Sequence, residues 1–347
     1  MNRVDFLISP IGPSDHLRQR RHYIDHLAPI WHGMPKGSRG DFLCLDDLRA
    51  YAEGKEIKPL SFPGERAMLD HISKVKRITV VAGHMDPMFT DRANRPNVIL
   101  MHGVGFVVDG DHRHPSYPGT RQNRANTLLM LATNERVAAL ERKANPQIRV
   151  EAVGCPKLDK WIAHKPSRNL GSPPIVALAW HWDCPTGDET QSLYDLFEPF
   201  LWTLTGRYTV LGHGHPHIID QLVPRYRSMG IEAVYDFEEV FERADVLIGD
   251  ATSAVFEFAA LDRPVVPLAS KEYRSTDCGG CFHLRTSLGP IIESGPCLVD
   301  GVEAALNMPP DEIETRRSTI AQCYANLDGS ATKAAVDAIC NVVNSRT

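Results

Sequence analysis

Residues 244–268, ADVLIGDATSAVFEFAALDRPVVPL, read as strand, turn, helix, turn and strand. Val246, Leu247 and Ile248 form an apolar run without alternation, as a strand buried on both faces requires. Gly249 to Ser253 make a small polar turn. Ala254 to Leu261 keep a helical period, with Val255, Phe258 and Ala259 on one face and Glu257 off it. Asp262-Arg263-Pro264 stops the helix, and Val265-Val266 opens the next buried strand. Such a βαβ unit sets a helix N-terminus at the carboxyl end of a parallel strand. Unpaired N–H groups and a positive dipole gather there, so a phosphate-bearing ligand is expected at Thr252 and Ser253. Asp250 is either a ligand contact or the helix N-cap.

The same alternation extends in both directions. Toward the N-terminus, strands are expected at 4–8, 41–45, 78–82, 98–101, 128–132 and 149–153. Helices are expected from Leu17 to Ile30, after Asp46, through Ala67 to Ile72, and over 134–144. Asp46 is the expected cap of its helix. Ser61-Phe62-Pro63-Gly64 reads as loop. Residues 162–174, IAHKPSRNLGSPP, have the composition of a linker. A second series follows: strands at 175–179, 208–211 and 234–235, helices at 190–204, 218–229 and 237–243, and then the opening unit. Helices at about 301–307, 311–325 and from Ser330 close the chain. The expected organisation is an N-terminal acceptor domain over 1–165, a linker over 166–174, and a nucleotide-donor domain over 175–325. A C-terminal helix occupies 326–347, and its packing back on the first domain is left open.

Composition narrows the class. The chain has 347 residues and a net charge of −5. Residues 1–165 hold 25 Lys and Arg against 18 Asp and Glu, and the rest hold 13 against 25, so the halves carry +7 and −12. A basic first half suits an anionic partner. No run of eighteen apolar residues suggests a membrane helix, and the first residues do not suit a signal peptide, so a cytoplasmic protein is expected. Of eight cysteines only Cys278 and Cys281 have ligand spacing, and the second pair of a structural zinc site is missing. Free thiols are expected, with a redox role for that pair as the minor alternative. His112, His114, His213, His215 and His217 lack helical ligand spacing and supporting acids, so no metal site and no cofactor are expected.

The chemistry-bearing residues all fall at expected strand ends: His84, His102-Gly103-Val104-Gly105, His181, His213-Gly214-His215 and Asp250 to Ser253. Ligands of open α/β sheets bind there. Transfer from a nucleotide diphosphate to a hydroxyl needs a base for the acceptor and positive charge for the leaving group. His102 suits the base, because imidazole titrates near neutrality. Gly103 and Gly105 let backbone approach it. Each has a plain alternative: a structural histidine at 102, a turn residue at 215, an exposed helical carboxylate at 257.

Five segments carry a resemblance. They are LMHGVGF (100–106), VEAVGCPKLDKW (150–161), VLGHGHPHI (210–218), ADVLIGDATSAVFEFAALDRPVV (244–266) and LDGSATKAAVDAI (327–339). In order and spacing they resemble the CDP-glycerol glycerophosphotransferase family, the teichoic-acid polymerase group, over roughly residues 95–345. The resemblance implies a GT-B fold, an α/β arrangement of two Rossmann-like doubly wound domains facing a central cleft. It also implies His102 as general base, donor contacts from Gly103, Gly105, His213, His215, Asp250, Thr252 and Ser253, ribose contacts from Glu257, and metal-independent catalysis. The implied donor is CDP-glycerol or a nucleotide sugar, and the implied acceptor an anionic polymer, with peripheral contact at the inner membrane face. Two departures stand out: Ala251 and Thr252 replace an aromatic residue and a serine, and Trp180-His181-Trp182 replaces a Pro-Thr-Trp-like segment. They keep open a glycosyltransferase acting on a glycan or hydroxymethylated DNA, nucleic acid being the less favoured acceptor. A nucleotide-sugar epimerase and an inactive binding protein are further alternatives.

Overall fold

The computed structural model describes residues 3–10, 20–83, 86–104, 124–164, 173–183, 192–269 and 281–345. Gly105, His84, His112, His114, Cys184, Cys278 and most of the expected linker lie outside the described residues. The chain divides into two compact units. One holds the chain up to Lys160 together with the segment from Tyr324 onward, and the other holds the intervening chain between Trp161 and Cys323.

The first unit runs β1 (Val4–Leu7), α1 (Arg21–Gly33), β2 (Arg39–Leu45), α2 (Asp46–Gly54), β3 (Leu60–Phe62), α3 (Glu65–Lys74), β4 (Ile78–Val81), α4 (Asp86–Arg92), β5 (Asn97–Leu100), β6 (Thr127–Ala132), α5 (Glu135–Ala144) and β7 (Arg149–Ala152). All pairings are parallel, in the order β3-β2-β1-β4-β5-β6-β7. The winding direction reverses between β1 and β4. Side chains of β1 alternate between faces: Val4, Phe6 and Ile8 join the core beneath α1, and Leu7 joins the core on the other face. Asp5 is fully buried in the same strand and ion-paired with Arg95 and Arg77, which makes the charge tolerable there.

α6 (Asp159–Ala163) carries the chain across. The second unit runs β8 (Ile175–Trp180), α7 (Tyr194–Phe197), α8 (Trp202–Thr205), β9 (Thr209–Gly214), α9 (Ile219–Ser228), β10 (Glu232–Ala233), α10 (Phe237–Arg243), β11 (Val246–Gly249), α11 (Ala254–Ala259), β12 (Val265–Pro267), α12 (Leu298–Leu306) and α13 (Pro310–Cys323). Its parallel order is β10-β9-β8-β11-β12, reversing between β8 and β11. The glycines of β9 are spacers. A Cβ on Gly212 would stand 2.5 Å from the Tyr226 ring, and one on Gly214 would stand 2.7 Å from Leu222, so α9 lies flat on the strand only over glycine.

α14 (Ala331–Asn344) returns to the first unit and supplies Ala335, Ile339 and Val343 to the core shared with α1. Two of the family-like segments meet at its start. The Asp159 carboxylate accepts the N–H groups of Ala331 (3.2 Å) and Thr332 (2.6 Å), capping α14 from a distant position in sequence. Gly154, at φ +86°, lies against the Ala325 carbonyl, where a Cβ would come within 2.1 Å.

Several local expectations are corrected. β3 forms where a loop was expected, and α4 was not foreseen. Asp46 opens α2 inside the helix, with Leu45 at the cap position and no side-chain cap. The helix expected over 190–204 is broken, within the described residues, into α7, a 3-10 turn at Glu198–Phe200 and α8, with Pro199, which has no N–H to give an α-helix, at the start of the turn. The edge strand lies at Glu232–Ala233, ahead of the expected Val234-Tyr235. No helix among the described residues is long and apolar enough to cross a membrane.

Candidate functional site

Each unit gathers its polar side chains at the carboxyl ends of the strands where its winding reverses, the position at which open α/β sheets bind ligands. In the first unit His102 stands just past β5. Its Nδ1 lies 2.7 Å from the carbonyl of Ala82, just past β4. A carbonyl only accepts, so Nδ1 carries the hydrogen and the neutral ring keeps its lone pair on Nε2. α1 brings three rings against it: Tyr23 edge-on at 5.0 Å, His26 at 5.6 Å and His22 at 6.0 Å between centroids. Burial lowers His102 to about 4; Lys157 and Arg20 push the same way, while the Ala82 carbonyl and Asp86 oppose. The imidazole is therefore neutral at neutral pH, as a proton acceptor must be. Gly103 and Val104 are buried beside it.

The same corner holds a charged network. Arg20 pairs with Asp86 at 2.6 Å and donates to the backbone and hydroxyl oxygens of Ser9, and the Ser9 hydroxyl donates to Asp86. Asp86 also accepts the Gly83 N–H at 2.9 Å. Sequence reading missed Ser9, Arg20, Tyr23, His26 and Asp86. Arg20 falls within the helix expected from Leu17 to Ile30 and Asp86 follows an expected strand end, and no motif marks either. The strand-end rule that singled out His84 could have extended to Asp86.

In the second unit the rings lie past β8 and β9. His217 stacks on Trp182 at 4.5 Å and on His215 at 4.9 Å, and His181 lies 5.7 Å from His215. The His217 N–H donates to Nδ1 of His215 at 3.2 Å. The proton of neutral His215 is therefore on Nε2. His213 is turned elsewhere: its Nδ1 donates to the Val234 carbonyl at 3.0 Å, and its ring packs 5.1 Å from Phe237.

Asp250 ends β11 and is fully buried. Its carboxyl accepts the N–H groups of His181 (2.7 Å) and Leu193 (3.0 Å) and the Ser192 hydroxyl (3.4 Å). Burial raises it to about 7 against the opposing pull of these donors. Asp250 is thus not the N-cap of α11, because its oxygens are turned to β8 and the segment before α7. Ser253 takes the cap position without a side-chain cap, and the Thr252 hydroxyl accepts the Ala254 N–H at 3.2 Å. The N–H groups of Val255, Phe256 and Glu257 are bonded to carbonyls of Thr252 and Ser253. α11 is short, and its first N–H groups are engaged. The helix-dipole argument for a phosphate at Thr252 and Ser253 is thereby weakened. Glu257 is buried in the first turn of α11, where an exposed carboxylate was the alternative. Among the described residues no group of three His, Cys, Asp or Glu is placed to hold a metal ion.

Comparison with known proteins agrees with this architecture. Residues 187–341 match the family model described as CDP-Glycerol:Poly(glycerophosphate) glycerophosphotransferase, which bears out the resemblance read from the sequence. Among solved structures, the wall teichoic acid polymerase TagF is similar at 16% identity with a TM-score of 0.66, covering 99% of this chain and 89% of that one. An S. aureus MnaA structure with UDP is similar at 12% identity with a TM-score of 0.67, covering 99% and 97%. A UDP-N-acetylglucosamine 2-epimerase is similar at 12% identity with a TM-score of 0.61, covering 96% and 93%. The fold is GT-B, as expected. No curated protein sequence matches the chain significantly.

Proposed function

We propose that the chain is a nucleotide-donor transferase that moves a glycerophosphate group from CDP-glycerol to a hydroxyl of an anionic polymer. The observation that carries the reading is the hydrogen bond from His102 Nδ1 to the Ala82 carbonyl, which leaves Nε2 as the proton acceptor. In the proposed step Nε2 takes the acceptor hydroxyl proton as its oxygen bonds to the phosphorus bearing glycerol. The bond from that phosphorus to the bridging oxygen breaks, and CMP leaves with the electron pair. His215, with its proton on Nε2, donates to a donor phosphate oxygen, and the Ser253 hydroxyl does the same. Gly103 and Gly105 let backbone approach the donor phosphates, and Glu257 holds the ribose. Asp250 serves from behind, holding His181 and Leu193 in place.

The family match over residues 187–341 supports the donor class, and the basic balance of residues 1–165 supports an anionic acceptor. The glycosyltransferase reading is the second, favoured by the departures from the family pattern at Trp180-His181 and Ala251-Thr252. A peripheral place at the inner membrane face follows from a polymer acceptor held there.

The test is thermal stabilisation by CMP, CDP-glycerol, UDP, UDP-glucose and GDP-mannose, since a ligand of the native state alone must raise Tm. The expected result is a shift with cytidine compounds, followed by CMP release on addition of a polyol phosphate. A shift with uridine or guanosine sugars alone moves the assignment to a glycosyltransferase, and no shift with any nucleotide overturns the enzyme reading.

A further inference from the structure

The carbonyl that holds His102 and the N–H that Asp86 holds belong to one peptide group. The link between Ala82 and Gly83 presents its oxygen to His102 Nδ1 at 2.7 Å and its N–H to Asp86 Oδ2 at 2.9 Å. Asp86 is fully buried, paired with Arg20 at 2.6 Å, and accepts the Ser9 hydroxyl. The bonds thus run in series from Asp86 through one amide to the imidazole. Hydrogen bonds in series polarise one another: a carboxylate accepting the N–H pushes electron density onto the carbonyl of the same amide. That oxygen then holds Nδ1–H more firmly and makes Nε2 more basic, as an orienting partner does for a ligating histidine.

We propose that Asp86 is the orienting carboxylate of His102, acting through the Ala82–Gly83 peptide rather than by direct contact. The inference rests on His102 being the base of the proposed transfer. Asp86 is a positioning residue here, because it touches the reacting atoms only through the amide and His102. Burial alone drives the imidazole toward weak basicity, and Arg20 and Lys157 add to that. The relay opposes both while fixing the tautomer. Gly83 is required for it. A Cβ there would stand 2.6 Å from an Arg20 guanidinium nitrogen and 2.7 and 2.8 Å from the Asp86 oxygens. The other groups around His102 are His22, Tyr23 and His26 from α1, which face it as rings, and Lys157 from the turn after β7.

Nitrogen NMR of the full-length protein labelled at histidine and glycine tests this without any substrate. His102→Gln identifies the His102 signals by their loss. The wild-type ring is expected as the Nδ1–H tautomer, and acid titration of His102 should shift the Gly83 amide nitrogen with the same midpoint. In Asp86→Asn the His102 midpoint should fall to lower pH, and the acid limb of kcat should follow it. kcat should drop about tenfold with KM little changed. An Nε2–H tautomer, a Gly83 amide that ignores the His102 titration, or an Asp86→Asn variant with an unmoved midpoint overturns the proposal. The wild-type titration decides the matter even if Asp86→Asn fails to fold, since Arg20 would then lack its counter-charge. Failure of the transferase reading is distinguishable: His102→Gln would keep full turnover while the coupled titration stood.

Discussion

His102 and His215 are the same side chain at equivalent places in two similar sheets, yet the backbone assigns their protons oppositely. A carbonyl faces Nδ1 of His102, and a backbone N–H faces Nδ1 of His215. In the proposed transfer one ring takes a proton at Nε2 and the other gives a hydrogen bond there. The surroundings diverge in the same sense. His102 sits among buried charges, Arg20, Asp86 and Lys157, whereas His215 sits in a stack of Trp182 and two further imidazoles. Residue type therefore says little about role. The partner of the second nitrogen says more.

The sharpest way to break this comparison is His102→Ala. Turnover should fall about 10²–10⁴-fold, while nucleotide binding, measured by calorimetry, stays near wild type. Unchanged turnover would sink the base assignment. The acid limb of the wild-type rate profile should lie near pH 4, well below that of an ordinary imidazole. By the same shift, the stability His102 contributes is fully present above pH about 6.5 and is lost as pH falls toward 4. His215→Ala should have the next largest effect, weakening donor binding by about ten- to a hundredfold, the scale of a hydrogen bond to a charged oxygen, with kcat at saturation changed less. Equal loss in kcat and affinity would mean that the two histidines do not divide the work.

Asp250→Ala should cost about 1–3 kcal/mol of stability in urea unfolding, for the N–H groups of His181 and Leu193 left without an acceptor. Its pH dependence is a second readout. The folded group titrates near 7 and an unfolded aspartate near 4, so the stability it contributes is full below about 4 and is lost as pH rises through 7. Asn at 250 should flatten that slope; a slope that persists would show that another group titrates. Smallest of all, Trp182→Leu should weaken binding of the donor by about 0.5–1.5 kcal/mol, the worth of an aromatic pair, through loss of the support behind His217 and His215. A change in which nucleotide binds, rather than how tightly, would favour the glycosyltransferase reading.

The fold was legible because buried parallel strands leave continuous apolar runs. Val246 to Ile248, Ile78 to Val81 and Ile175 to Ala179 all read as strands and are strands. What escaped was set by tertiary contact. β3 is a three-residue edge strand whose apolar content is too small to signal itself, and α7 and α8 are interrupted by a proline inside an otherwise periodic segment. The site was legible only in part. His102, His215 and Asp250 stand at strand ends and could be found by that rule. Asp250 showed as polar, but its turn away from α11 toward Leu193 depends on a pairing across 57 residues. Arg20 and Asp86, 66 apart, likewise become partners only when β1 and β4 pair.

Asp159 and Gly154 hold the last stretch of chain against the first unit, whose core includes α14. Synthesis runs from the N-terminus, and domains ordinarily fold as they emerge. Here the unit begun first waits for residues made after the second, because its core is incomplete until Ile339 and Val343 leave the ribosome. The unit between Trp161 and Cys323 is completed in the chain before α14 begins. The order of folding on the ribosome should therefore reverse the order of the sequence, and a nascent chain arrested before α14 should protect the second unit from protease and leave the first open to it.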